Sequence, residues 1–298
     1  MLMLNNIKKQ YGANVAVKPF NKVFEPGVYG LLGANGAGKT TVMRMLCGLL
    51  NPSSGSIFFN GSDIKNLGCK YSEQVGYLPQ DFGFFREDSL GTYMDFMASI
   101  KGLGRLKSKK RILEVIELVG LEKLIKKKIR TFSGGMKQRV GIAQAILAEP
   151  KVLILDEPSS GLDPKERVVF RNLISELGKD RIVILSTHIV SDVEFIANNI
   201  LIMKKGTIIM DGSAENLVSK IKDKVWEVIV PSSEADKYKD LYCVSNVNRL
   251  ENETKMRIIS DLAPRYSKPI INPTLEELYL YIFDEHISTI QHKEESRD

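Results

Sequence analysis

Gly33-Ala-Asn-Gly-Ala-Gly38-Lys39-Thr40 lies between an apolar run at 28–32 and a helical-looking segment at 41–50. Strand, glycine-rich turn and helix in that order are what GxxxxGK[ST] requires. Glycines let backbone N–H groups turn inward around phosphate oxygens, and the following helix adds the positive end of its dipole. Gly33, Asn35, Gly36, Gly38 and Thr41 are therefore candidate phosphate contacts. The Lys39 ammonium is expected to reach the β- and γ-phosphates and the Thr40 hydroxyl to ligate magnesium. A chance glycine-rich turn would need neither the lysine nor the flanking strand.

Two further apolar runs end in polar residues: 151–155 before Asp156 and Glu157, and 181–187 before His188. Strands that deliver polar groups at their carboxyl ends fit an open parallel sheet with its ligand along that edge. Asp156 is placed to complete a magnesium site. Successive residues leaving a strand face different sides, so Glu157 is free to act as general base on an attacking water. Between 84 and 149 helical periodicity takes over, with Ile112, Val115, Ile116 and Val119 on one face. Beyond 222 the character changes again, with strands expected at 225–230 and 256–259 and a helix at 274–283 opened by Pro273. The expected organisation is α/β: a parallel-sheet core at 1–222 with an inserted helical subdomain at about 84–149, a small α+β domain at 223–290 and a polar, frayed tail at 291–298.

The 298 residues are 43% hydrophobic and 26% charged, the balance of an ordinary globular chain. No stretch approaches the roughly 18–20 apolar residues that span a bilayer, and the N-terminus lacks a signal-peptide core, so a cytoplasmic location is expected. Cys47, Cys69 and Cys243 form no CxxC pair and suggest neither a disulfide framework nor a zinc site. The net charge of +6 would suit a membrane surface or RNA, but the basic clusters 107–111 and 126–128 read as solvated faces, and no nucleic acid is expected.

Phe132-Ser-Gly-Gly-Met136-Lys-Gln-Arg139, about 20 residues before Asp156, resembles the signature motif of ATP-binding-cassette proteins. The resemblance runs from Ile7 to Gly212 and implies a P-loop NTPase cassette that binds and hydrolyses ATP with Mg2+. Ser133 can cap the helix that starts there, and Gly134 and Gly135 can offer N–H groups at its positive end. In the family this second anion site takes the γ-phosphate of a nucleotide held by the opposite cassette, so two cassettes close head to tail. By the same resemblance Tyr11 is the aromatic that stacks on adenine, Gln80 senses magnesium and the attacking water, His188 contacts the γ-phosphate, and Ser160-Gly161-Leu162-Asp163 joins the two sites. Phe132 and Met136 stand where the commonest signature has leucine and glutamine. Met136 donates no strong hydrogen bond, which puts in doubt the contact that glutamine makes to the partner's nucleotide sugar. With Lys39, Asp156, Glu157 and His188 present, a homodimer is expected to have two competent sites.

Single-cassette chains of this family are usually transporter motors that bind a separate membrane subunit beside the glutamine loop, peripheral on the cytoplasmic face of the membrane. Asp81-Phe-Gly-Phe-Phe-Arg86 follows Gln80, and at least one of Phe82, Phe84 and Phe85 is expected to form an apolar socket there. The region ending in Pro273-Thr-Leu-Glu-Glu-Leu-Tyr-Leu280 is similar to cassettes of bacterial exporters of drugs, antimicrobial peptides, polysaccharides or lipids. An importer motor is the alternative, and a soluble ribosome-associated cassette protein a more distant one, since those normally carry two cassettes. The second cassette of the pair is either another copy of this chain or a related one.

Overall fold

The computed structural model describes residues 1–85 and 87–284; Arg86 and the tail 291–298 named above lie outside the described residues. The chain divides into two compact units, Met1–Asp211 and a second beginning at Gly212.

The first unit holds two sheets. Strands β1 (Leu2–Tyr11), β2 (Asn14–Phe24), β4 (Ser54–Phe59) and β5 (Ser62–Asp63) form an antiparallel sheet in the order β2-β1-β4-β5. Strands β3 (Gly27–Leu32), β6 (Val75–Leu78), β7 (Val152–Asp156), β8 (Ile182–Thr187), β9 (Asn199–Lys204) and β10 (Thr207–Gly212) form the other in the order β10-β9-β3-β8-β7-β6. The pairs β3/β8, β3/β9, β7/β8 and β6/β7 are parallel. The β7 and β8 strands are buried at every position, which is why they read as continuous apolar runs rather than alternating ones. Helix Lys39–Leu46 packs Met43, Met45 and Leu46 into the same core as Ile154 and Ile184. That places the turn before this helix at the carboxyl edge of β3, beside the carboxyl ends of β7 and β8.

Helices Leu90–Ile100, Arg105–Leu118 and Gly134–Ile146 make up the region without strands. Ile112, Val115, Ile116 and Val119 are all buried, as their spacing requires. Arg111, from one of the clusters read as solvated, points inward: its Nε and Nη2 donate to the carbonyls of Leu147 and Ile146 at 3.2 and 3.1 Å. Those carbonyls belong to the unsatisfied C-terminal turn of helix Gly134–Ile146, and a guanidinium suits that negative end.

In the second unit β11 (Val225–Pro231), β12 (Cys243–Arg249), β13 (Glu253–Ile259) and β14 (Ser267–Pro269) form an antiparallel sheet in the order β12-β13-β11-β14. Helix Leu275–Phe283 starts on a capping box, in which Thr274 accepts from the Glu277 N–H and Glu277 accepts from the Thr274 N–H. Pro273 precedes this start without being its cap. Glu277 is 3% exposed and accepts from Nε and Nη2 of Arg257 at 2.7 and 2.9 Å, so one carboxylate ties the helix start to β13.

Candidate functional site

The turn at 33–38 closes because Gly33 and Gly38 sit where side chains do not fit, while Gly36 faces open space at a positive φ of +79°. Gly38 has φ +108°, and a Cβ there would meet the Ala16 carbonyl at 2.5 Å and the Met203 methyl at 2.7 Å. Only glycine satisfies both the backbone angle and the space. The turn and the start of the next helix face a cavity of about 550 Å³ lined by Asn35, Gly36, Gly38, Lys39, Thr40 and Thr41, with Gln80 and Glu157 across from them. Gly33 supports the turn from below, its carbonyl accepting from Lys39 Nζ at 2.7 Å.

Charge concentrates at one end of this cavity. Lys39, Asp156 and Glu157 are 5%, 1% and 7% exposed, so their interactions act at low dielectric. Lys39 Nζ lies 3.0 Å from Glu157 Oε1, and His188 Nδ1 lies 2.9 Å from Glu157 Oε2. One carboxylate thus joins a residue of the phosphate loop to the residue that follows β8. Asp156 is held separately: Ser186 donates to its Oδ1 at 2.5 Å and Thr40 to the same oxygen at 3.3 Å, while Oδ2 is buried with no hydrogen-bond partner. An ionised oxygen withdrawn from water and left unpaired is costly unless a cation or donor arrives. Thr40 and Asp156 therefore fit a hard divalent cation, with a hydroxyl and a carboxylate oxygen as donors.

The two acidic residues separate differently from simple strand alternation. Glu157 has φ +50°, a left-handed conformation uncommon outside glycine, asparagine and aspartate. Its N–H is fixed by both the carbonyl and the hydroxyl of Ser186, at 3.1 and 3.0 Å. The turn swings the Glu157 side chain toward Lys39 and His188 while Asp156 stays on Thr40. Behind the site, burial first and then the Asp156 carboxylate push the Cys47 thiol far up, and the same burial, reinforced by Cys47 and Asp156 and opposed by Arg44, pushes Tyr77 up to about 12. Neither group carries charge at neutral pH.

Gln80 is exposed and lines both this cavity and a second one of about 770 Å³, bordered by Phe82, Phe84, Gly134, Lys137, Ser160 and Gly161. Phe82 and Phe84 are half-buried and meet edge to face at 4.9 Å; Phe85 is 56% exposed and leans on Phe96 at 5.2 Å. Tyr11 is exposed beneath Lys9, whose Nζ is 5.3 Å from the ring centre, and it is not among the residues lining the first cavity. Ser133 caps helix Gly134–Ile146 by accepting from the Met136 N–H at 3.1 Å, with Gly135 buried in its first turn.

Several residues in this region had no motif to announce them. Ser186 orients both acidic residues, and the signal was the Ser-Thr pair that closes an apolar strand just before His188. Asp192, fully buried, accepts from Ser159 and from Thr187 at 3.4 Å, linking the segment after Glu157 to the end of β8. Among the described residues there is no cluster of three or more His, Cys, Asp or Glu arranged for a metal.

The family model described as ABC transporter matches residues 21–160. The uncharacterized ABC transporter ATP-binding protein YxlF of Bacillus subtilis (strain 168) is 40% identical, with 77% of each chain covered. The linearmycin resistance ATP-binding protein LnrL of the same organism is 37% identical over 74% of this chain and 72% of its own. Among solved structures, cbiO1 from Clostridium perfringens, part of the ABC transporter complex cbiONQ, superposes with a TM-score of 0.67 at 31% identity, covering 74% of this chain and 94% of that one.

Proposed function

Because this chain belongs to the ABC transporter ATP-binding proteins, a family of P-loop ATPases, we propose that it hydrolyses ATP between two cassettes to drive export through a separate membrane subunit. The observation that carries the hydrolytic part is the pair of contacts on Glu157, with Lys39 on one carboxylate oxygen and His188 on the other. ATP enters along the turn 33–38, and its β- and γ-phosphates compete for the Lys39 ammonium. Lys39 moving onto phosphate releases Glu157 Oε1, which then accepts a proton from the attacking water. The water oxygen bonds to the γ-phosphorus as the bond to the β,γ-bridging oxygen breaks, giving ADP and phosphate. His188 keeps the other oxygen of Glu157 in place and is assigned to the γ-phosphoryl group. Mg2+ held by Thr40 and Asp156, with Gln80 facing the same cavity, would neutralise charge on the β- and γ-oxygens.

In this reading Ser133 and Gly135 receive the γ-phosphate bound to the other cassette, which is either a second copy of this chain or a related one. Tyr11, close in sequence to the cavity wall at Asn14, is assigned to the adenine. Export is favoured over import by the likeness to LnrL, a linearmycin resistance protein, and the aromatic group beside Gln80 is the surface assigned to the membrane partner. No helix among the described residues is long and apolar enough to cross a membrane, which fits a peripheral subunit on the cytoplasmic face.

The test is to tag the Glu157→Gln chain in its native cells, purify it in ATP and mild detergent, and identify what accompanies it. A polytopic membrane protein in stoichiometric amount is expected. Ribosomal components without any membrane protein would overturn the transport reading while leaving the ATPase intact.

A further inference from the structure

The anion cradle at the start of helix Gly134–Ile146 already holds an anion from the same chain. Glu166 lies in the first turn of helix Pro164–Leu177, where Asp163 accepts from its N–H at 2.8 Å and fixes its backbone. Its carboxylate reaches across to the other helix start. Ser133 donates from its hydroxyl to Glu166 Oε1 at 3.2 Å while accepting from the Met136 N–H at 3.1 Å. The carboxylate lies so close over Gly135 that the three atoms nearest to a Cβ built there are its Cδ, Oε1 and Oε2, all in overlap. Helix Gly134–Ile146 has no acidic residue of its own in its first turn, so Glu166, held by the Ser133 hydroxyl, supplies the negative charge at the positive end of its dipole. Glycine at 135 is what leaves room for it.

We propose that Glu166 is a resident anion of the signature site, displaced by the γ-phosphate of ATP bound to the other cassette, so that it sets the ATP requirement for closing the pair and excludes ADP. This rests on the reading of Ser133 and Gly135 as the acceptors of that γ-phosphate. A helix N-terminus offers roughly half a unit of positive charge, enough for one anion and not for two in contact. A γ-phosphate carries more charge and more acceptor oxygens than a carboxylate and can exchange with it. ADP ends at the β-phosphate and brings nothing into this cradle, so the carboxylate stays. Glu166 is therefore a specificity-determining residue whose removal should make closure easier, the opposite of what loss of a structural contact produces.

The test uses the full chain with Glu157→Gln, which prevents turnover, and reads the dimer fraction by light scattering against ATP and, separately, ADP concentration. Adding Glu166→Gln, which keeps the shape and removes the charge, should lower the ATP concentration for half-dimerisation by about threefold or more, the scale of a helix-dipole contact. ATP binding to the free monomer should stay unchanged, because Glu166 acts only on the other cassette's nucleotide. Glu166→Asp, with the charge drawn back by one methylene, should fall between the two. An unchanged or higher ATP requirement for both variants, with melting temperatures like the parent's, overturns the role of Glu166. If the Glu157→Gln parent stays monomeric at saturating ATP, the assignment of Ser133 and Gly135 fails, and this inference with it.

Discussion

Removing the Ser186 hydroxyl tests how the two acidic residues are held. Ser186 is fully buried and its Oγ bonds both the Asp156 carboxylate, at 2.5 Å, and the Glu157 N–H, at 3.0 Å. In Ser186→Ala the Glu157 N–H keeps the carbonyl of residue 186 as its acceptor, at 3.1 Å, so that side of the loss is small. Asp156 keeps only the 3.3 Å contact from Thr40, on a carboxylate whose other oxygen has no partner. A hydrogen bond to a charged group contributes roughly 1.5–3 kcal/mol, and here no water replaces it, so a loss of about 2 kcal/mol is expected. For a unit of this size each kcal/mol moves the melting temperature by about 2–4 °C, giving a fall of about 4–8 °C. Thermal scans with and without Mg·ATP supply the control. A divalent cation on Asp156 satisfies the carboxylate directly, so the deficit should shrink when Mg·ATP is bound. A shift under about 1 °C without nucleotide, or one that Mg·ATP leaves untouched, would refute the account of Asp156 as an unsatisfied buried ligand waiting for a cation.

Two other expectations follow from contacts elsewhere in the chain. A Cβ at Gly141 would meet Leu78 at 2.6 Å and the Phe82 ring at 2.7 Å, so Gly141→Val should push Phe82 outward; ATPase activity of the isolated chain should survive while co-purification of a membrane partner falls. Glu277→Ala strips Arg257, Ser245 and the Thr274 N–H of one shared carboxylate and should destabilise the second unit by about 3 kcal/mol, read as lost hydrogen-exchange protection in β13 and helix Leu275–Phe283.

The parallel core was legible because its strands are buried on both faces and carry their polar residues only at the carboxyl ends, as 152–157 and 182–188 do. The antiparallel sheet was not: β1 and β2 mix lysine and asparagine with apolar residues and have register shifts, so no clean two-residue period survives. Lys39, Thr40, Asp156, Glu157 and His188 could be named because each stands at a fixed place in a motif. Ser186, Asp192 and Glu166 could not, since their importance lies in which distant carboxylate, hydroxyl or helix end they meet. Helix Lys39–Leu46 starts earlier than the apolar pattern at 41–50 indicated, because Lys39 itself is its first residue, and it ends before Gly48, whose φ of +73° closes the turn. Arg111 shows the limit of reading charge runs: Lys107, Lys109 and Lys110 are exposed, whereas Ser108 is buried and Arg111 turns inward to cap a helix.

The central claim is that Glu157, held between Lys39 and His188, takes the proton from the attacking water, and phosphate release by purified Glu157→Gln tests it most directly. With ATP binding intact, turnover should drop by about 10²–10⁴-fold, the usual contribution of a positioned general base. Hydrolysis at the rate of the unaltered chain, with ATP bound equally well, would contradict it.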